Sequence, residues 1–265
     1  MYWGLVNKSI SPGCRFPQHT LCSLLVVLFA TCGCSSLGSR AREAAVIAAR
    51  DPWTWGPLTG AALITAVDGD ERLSRWAKTQ TPLYGSTDAA QEASDRFRAL
   101  ASNTAWLTFA AAVPQGKNSW LLEKGWDAGG NLAALAVARN TTGLLKAAAQ
   151  RERPHDGPVH DSFPSAHATD AFAHASFGRH YADDLRMGRP WREGLKLGMN
   201  GFAFATAWGR VEGGVHYPTD VLAGAAIANF ATRFFMELNA PGTAWRVRPH
   251  TTEEGGVIIE IETPL

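Results

Sequence analysis

Three short polar motifs are set between alanine- and glycine-rich apolar stretches in the second half of this 265-residue chain. They read Lys146-AAAQRE-Arg153-Pro154, Pro164-Ser165-Ala166-His167 and Gly209-Arg210-VEGGV-His216-YPT-Asp220. Apolar stretches of helical period must bury themselves against one another, which points to packed helices whose ends carry the polar groups. Those ends supply three cations, two histidines and a carboxylate. Such a set can hold a tetrahedral anion, attack it and protonate what leaves.

Each motif has its own physical reading. A helix before Pro154 would project Lys146 and Arg153 from one face, two turns apart, and end near Arg153 because proline lacks an N–H and restricts its predecessor. The arginine fork suits bidentate pairing with phosphate oxygens, and lysine adds a point charge. The plainer alternative is a solvated basic face shared with Arg151 and Glu152. Ser165 fits the N-cap of the helical run AHATDAFAHASFGRHYADDL, with His167 in its first turn, where free N–H groups favour an anion. An ordinary capped helix with a partly exposed histidine is the competing reading. In the third motif Gly209-Arg210 ends an apolar helix, Gly213-Gly214 makes a turn, and Pro218 opens a new helix. Asp220, four residues beyond His216, is in reach to fix one imidazole nitrogen and leave the other free to attack. Alternatively Asp220 only complements a helix dipole.

In this order and spacing the motifs resemble the type 2 phosphatidic acid phosphatase superfamily, which includes bacterial class A acid phosphatases and vanadium haloperoxidases. The family pattern is Lys-x6-Arg-Pro, Pro-Ser-Gly-His and Ser-Arg-x5-His-x3-Asp. The resemblance implies that Lys146, Arg153 and Arg210 bind phosphate, with Ser165 and the backbone at Ala166 completing the cradle. It also implies that His216 attacks phosphorus to give a phosphohistidine, Asp220 orients His216, and His167 protonates the leaving oxygen. No metal or other cofactor is implied, since three cations and a helix N-terminus supply the charge. Two positions depart from the pattern. Ala166 stands for glycine, which costs nothing if the position is merely helical. Gly209 stands for serine and removes one hydroxyl.

The N-terminus carries a second signal. Lys8 and Arg15 precede Leu21-CSLLVVLFA, too short an apolar run for a permanent span, ending in Thr31-Cys32-Gly33-Cys34. This resembles a bacterial lipoprotein signal with Cys34 lipidated; Cys32, simple cleavage or an uncleaved anchor are the alternatives. The expected location is the periplasmic side of the cell envelope, anchored by lipid, with Ser35 favouring an outer membrane. All four cysteines (Cys14, Cys22, Cys32, Cys34) fall in this segment, so no disulfide framework exists to argue from.

The roughly 230 residues that follow suit one domain. The expected organisation is a signal segment 1–34, an N-terminal helical region 35–87, a phosphatase core 88–240 and a C-terminal β-hairpin 241–265. Asp51-Pro52-Trp53-Thr54-Trp55-Gly56-Pro57 reads as an aromatic turn, and helices are expected near 58–80, 88–112, 118–126, 130–152, 165–187, 191–211 and 218–238. The tail alternates in strand fashion around Thr251-TEEGG. The fold class is all-α, a helical bundle of the acid phosphatase and vanadium haloperoxidase type with that small hairpin.

A formal charge of +1 gives no support for a nucleic-acid partner. His155, Asp156, His160, Asp161, His167, Asp170, His174 and His180 crowd one stretch, but without H-E-x-x-H or a cysteine pair they do not form a metal motif. The expected activity is therefore a metal-independent phosphatase on phosphate or diphosphate esters, with lipid phosphates favoured. Soluble phosphomonoesters are the alternative substrates, and a vanadate-holding haloperoxidase is a more distant one. Trp106, Trp120 and Trp126 could line an acyl entrance or simply pack in the core.

Overall fold

The computed structural model describes residues 35–113, 120–154, 159–240, 246–251 and 257–262. Residues 1–34, with Cys34 and the whole candidate signal, lie outside these. By compactness the chain divides into Met1–Gly38 and Ser39–Leu265. The second unit contains the motifs.

Eight helices run in order among the described residues: α1 Ser35–Arg50, α2 Pro52–Ala66, α3 Gly69–Gln80, α4 Thr87–Ala111, α5 Trp120–Ala149, α6 Ala166–Ala182, α7 Arg189–Glu212 and α8 Pro218–Asn239. Strands β1 (Arg246–Thr251) and β2 (Val257–Glu262) then pair antiparallel, Arg246 opposite Glu262. The body is helical, as its periodicity predicts.

α6 lies at the centre, packed against α4, α5, α7 and α8. Its sequence explains why. Thirteen of its 17 residues are buried, and the small ones let neighbouring backbones approach on every side. Phe177, Met199 and Tyr181 fill the space between α4, α6 and α7, with Trp106 edge-on to Phe109 and Phe177. Trp106 is thus a core residue, whereas Trp126 is half exposed and the Trp120 side chain is not described.

Three boundaries differ from expectation. The aromatic turn at 51–57 is the start of α2: Asp51 caps it, its Oδ1 accepting from Trp53 N at 2.9 Å, and Pro52 occupies the first turn, where no N–H is needed. The two helices expected at 118–126 and 130–152 are one, because Gly129-Gly130 does not break it. Gly130 instead faces Asn239, whose amide occupies the place of a Cβ. Finally, α5 ends at Ala149, four residues before Arg153. Gln150 takes φ 45°, a left-handed conformation that costs a non-glycine residue on the order of 1 kcal/mol, and the chain leaves the helix axis there.

α8 is the one described helix long and apolar enough to cross a membrane, with a mean hydropathy of 1.3 over its best window, but half of that window is buried inside the body. Its faces are taken by α2, α5 and α6. That is the environment of a core helix.

Candidate active site

The site forms where α5 ends, α6 and α8 begin, and the α7–α8 turn closes. Each motif sits at one of these termini, so packing the helices brings the motifs together. Gly224 matters to this convergence. A Cβ there would lie 2.7 Å from the Ser165 carbonyl, so glycine lets α8 press against the start of α6. Ser165 N donates to the Asp220 carbonyl at 3.0 Å, tying the second motif to the third.

In the third motif Gly214 adopts φ 72°, and the tight turn directs the N–H groups of Val215 and His216 to the Arg210 carbonyl at 3.1 and 3.2 Å. His216 is left 2% exposed. Its Nδ1 lies 2.7 Å from the Ser162 carbonyl and 3.7 Å from Asp220 Oδ2. A carbonyl can only accept, so Nδ1 carries the proton and Nε2 keeps a lone pair. This corrects the expected hydrogen bond from His216 to Asp220: at 3.7 Å the carboxylate attracts the ring but does not accept its proton. Burial pushes the His216 imidazole below its ordinary pKa, Arg210 and Lys146 add repulsion, and Asp220 opposes both. The ring is therefore neutral near pH 7 and has a fixed tautomer.

Asp220 is wholly buried and accounts for its lone pairs elsewhere. Oδ2 accepts from Ser162 Oγ at 2.5 Å and Tyr217 N at 2.8 Å, and Oδ1 accepts from Arg151 Nη1 at 2.7 Å. Burial pushes its pKa up, but the His216 and Ser162 contacts and the Arg151 charge together hold it below the ordinary carboxylate value. Arg151 also reaches Asp70 Oδ2 at 2.8 Å and Thr219 Oγ1 at 2.9 Å, and it covers the Tyr217 ring at 3.9 Å. Asp70 in turn accepts from Thr219 N at 3.0 Å. The solvated face envisaged for Arg151 is in fact a clamp joining α3, the α5 exit and α8.

Lys146 and Arg153 converge, though not along one helical face. The turn at Gln150 carries Arg153 round, and both cations meet Asp161. Arg153 donates from Nε to Oδ1 at 2.7 Å and from Nη2 to Oδ2 at 3.2 Å. Lys146 donates to the Asp161 carbonyl and lies 3.7 Å from Oδ2. Burial lowers the Lys146 pKa, against the pull of Asp161.

Ser165 caps α6, its Oγ accepting from Ala168 N at 3.5 Å, and Ala166 is the first helical residue, with no positive φ. Alanine is therefore unstrained where the family pattern has glycine. His167 follows, with a side chain 30% exposed, and its Nε2 lies 2.9 Å from Asp95 Oδ1 on α4. Burial together with Arg210 and Arg98 holds its pKa down to about 4, with Asp95 opposing. Arg210 is buried, and its charge is felt by both histidines. Gly209 has a steric reason: a Cβ there would lie 2.6 Å from the Ala90 carbonyl and 2.9 Å from Ser94 Cβ. The α4 backbone thus occupies the space a serine side chain would need. Ser94, on α4, spends its hydroxyl on the Thr206 carbonyl at 3.0 Å.

Of the crowded stretch, His155 and Asp156 lie outside the described residues, and His160, Asp170, His174 and His180 make contacts away from the motif cations. His174 Nδ1 bonds the Asp170 carbonyl at 2.8 Å, and Asp170 is gripped by Arg139 and Arg98. Among the described residues no three His, Cys, Asp or Glu side chains are grouped to hold a metal ion. Sequence reasoning missed Asp70, Asp95 and Ser162, and weighed Asp161 only as a candidate metal ligand. Of these, Ser162 and Asp161 lie near a motif, in the loop before Pro164.

Comparison with known proteins points to one family. Residues 128–241 match the family model of the PAP2 superfamily. The crystal structure of a transmembrane PAP2-type phosphatidylglycerolphosphate phosphatase from Bacillus subtilis shares the fold, with a TM-score of 0.54 at 18% identity over 73% of this chain and 97% of that one. No curated protein matches the sequence. The matched segment, residues 128–241, holds all three motifs, so the family whose model it fits is the one the motifs resemble.

Proposed function

We propose that the protein is a phosphatase acting on phosphate esters, with lipid phosphates the favoured class, through a phosphohistidine on His216. The observation that carries this reading is the His216 imidazole: buried and neutral, its Nδ1 proton is committed to the Ser162 carbonyl and its Nε2 lone pair is available. Nε2 attacks phosphorus, the P–O ester bond breaks, and His167 gives the leaving oxygen its proton. Water then attacks phosphorus, His167 takes the water's proton as the P–O bond forms, and the P–N bond breaks to release phosphate and restore His216. Lys146, Arg153 and Arg210 stabilise charge on the equatorial oxygens, as positioning and electrostatics require in phosphoryl transfer.

Two features favour lipid over soluble esters: the candidate lipoprotein signal ending at Cys34, which would hold the site beside a bilayer, and the exposed apolar residues of α2 (Trp53, Trp55, Leu58 and Leu63). Soluble phosphomonoesters remain the competing substrates. Purified protein in detergent, offered a lysophosphatidic acid, a polyprenyl diphosphate, glycerol phosphate and 4-nitrophenyl phosphate, decides between them by phosphate release. Higher kcat/KM on the lipids supports this reading, equal or higher values on glycerol phosphate favour the soluble one, and release from none removes both. Replacing Cys34 with Ser tests the anchor: unchanged membrane retention and mobility would exclude lipidation at this residue.

A further inference from the structure

We propose that Asp161 is an affinity-determining residue of this same site: its carboxylate occupies Lys146 and Arg153 in the ligand-free protein and must be displaced by the phosphoryl group. The inference rests on the phosphate-binding role given to those cations. The Arg153 fork meets the two Asp161 oxygens in the bidentate manner it would use on two phosphoryl oxygens, at 2.7 and 3.2 Å. Lys146 lies 3.7 Å from the same carboxylate. Two of the three cations are thus covered by one internal anion.

The placement of Asp161 suits exchange. Its side chain is 44% exposed, and its hydrogen-bond and ion-pair partners among the described residues are these two cations, so it can rotate outward into water. Its backbone is held apart from that motion: the Lys146 ammonium grips the Asp161 carbonyl, and the next residue is fixed by Ser162 N to the Arg151 carbonyl at 2.9 Å. Asp220 shows the opposite design, being wholly buried and bound by three donors. Exchange at Asp161 keeps the cations from being bare when the site is empty. It also gives the product phosphate a competitor, so that Asp161 reclaims Arg153 as phosphate departs. The opposite role is equally concrete: Asp161 could stay in place and orient Arg153 towards substrate. The two roles predict opposite signs for its removal.

The test uses full-length protein in detergent, as wild type, Asp161→Asn and Asp161→Glu, with inorganic phosphate as the probe. Displacement predicts that Asp161→Asn binds phosphate about tenfold more tightly by titration calorimetry, the scale of one charge-assisted contact no longer to be broken. KM for 4-nitrophenyl phosphate falls with it while kcat stays level or drops, because release is slowed. Asp161→Glu, which keeps the charge, stays closer to wild type than to Asp161→Asn. Unchanged or weaker phosphate binding in Asp161→Asn, or a Glu variant matching the Asn variant, contradicts the proposal. Should Asp161→Asn melt early, Asp161→Ser repeats the comparison. Calorimetry does not depend on turnover, so a wild type that binds phosphate but hydrolyses nothing removes the phosphatase reading and leaves displacement to be decided.

Discussion

The two histidines of the site live in opposite surroundings. His216 is 2% exposed, donates to a backbone carbonyl, and faces a carboxylate that Arg151, Ser162 and Tyr217 hold in place. His167 is 30% exposed and touches one carboxylate, Asp95, on a helix outside the family-matched segment. A nucleophile must present one lone pair in one direction, and rigid burial provides that. An acid must hold and release a proton within one cycle, and a partly open position lets the bound anion tune it. The difference between the two halves separates orientation from titration.

Removing each histidine breaks the comparison most sharply. His216→Ala should lower kcat by at least about three orders of magnitude with every substrate, because the attacking lone pair is lost. His167→Ala should depend on the leaving group. An alkyl phosphate should lose about 10²–10⁴-fold, whereas an aryl phosphate with an acidic phenol should lose far less. Comparing kcat/KM for glycerol phosphate and 4-nitrophenyl phosphate in both variants measures this. A loss independent of leaving group in His167→Ala would remove it as the acid.

The clamp behind His216 should register next, and chiefly in stability. Arg151→Met leaves Asp220 buried with one donor fewer. Breaking a buried pair costs about 3–5 kcal/mol, but Arg151 is one-third exposed, so about 2–3 kcal/mol is expected at neutral pH. In thermal melts this corresponds to roughly 5–10 °C. The pH sign follows from Asp220, whose folded pKa is depressed: its contribution is present above the unfolded carboxylate value and is lost as pH falls through the folded one. The gap between wild type and variant should therefore close on acidification. A gap that widened would mean the Arg151–Asp220 pair is not its source.

Asp95 gives the smallest effect. Its carboxylate favours the charged imidazole, against burial and the charges of Arg210 and Arg98. In the free enzyme, protonated His167 declines above a pH of about 4, so the alkaline limb of kcat/KM begins low. A bound phosphoryl dianion offsets the two arginines, so kcat should hold to higher pH than kcat/KM. Asp95→Asn should shift both limbs towards acid by about one pH unit. Limbs that stay put would show that Asp95 does not tune His167.

How far the sequence foresaw this site depends on how far apart its partners lie along the chain. The helices were legible from their period, and Lys146, Arg153, Ser165, His167, Arg210, His216 and Asp220 from motif spacing. Ser165 as cap and Ala166 as first helical residue followed from local rules. What escaped was made by tertiary contact. Asp70 and Asp95 reach the site across 149 and 72 residues, and nothing local marks them. Arg151 sat inside the first motif yet read as a surface cation, because its carboxylate partners come from α3 and α8. The Ser162 carbonyl is a backbone group and has no side-chain signature. Gly209 read as a lost hydroxyl until the closeness of α4 supplied its reason.

The central claim is that His216 alone is the covalent centre. Labelled substrate, rapid acid-free quench and peptide mapping under alkaline conditions, where phosphohistidine survives, test it directly. The account predicts label on His216 in wild type, more label in His167→Ala with an aryl phosphate because breakdown loses its base, and none in His216→Ala. Label on His167, or turnover in His216→Ala with no covalent species, would contradict it.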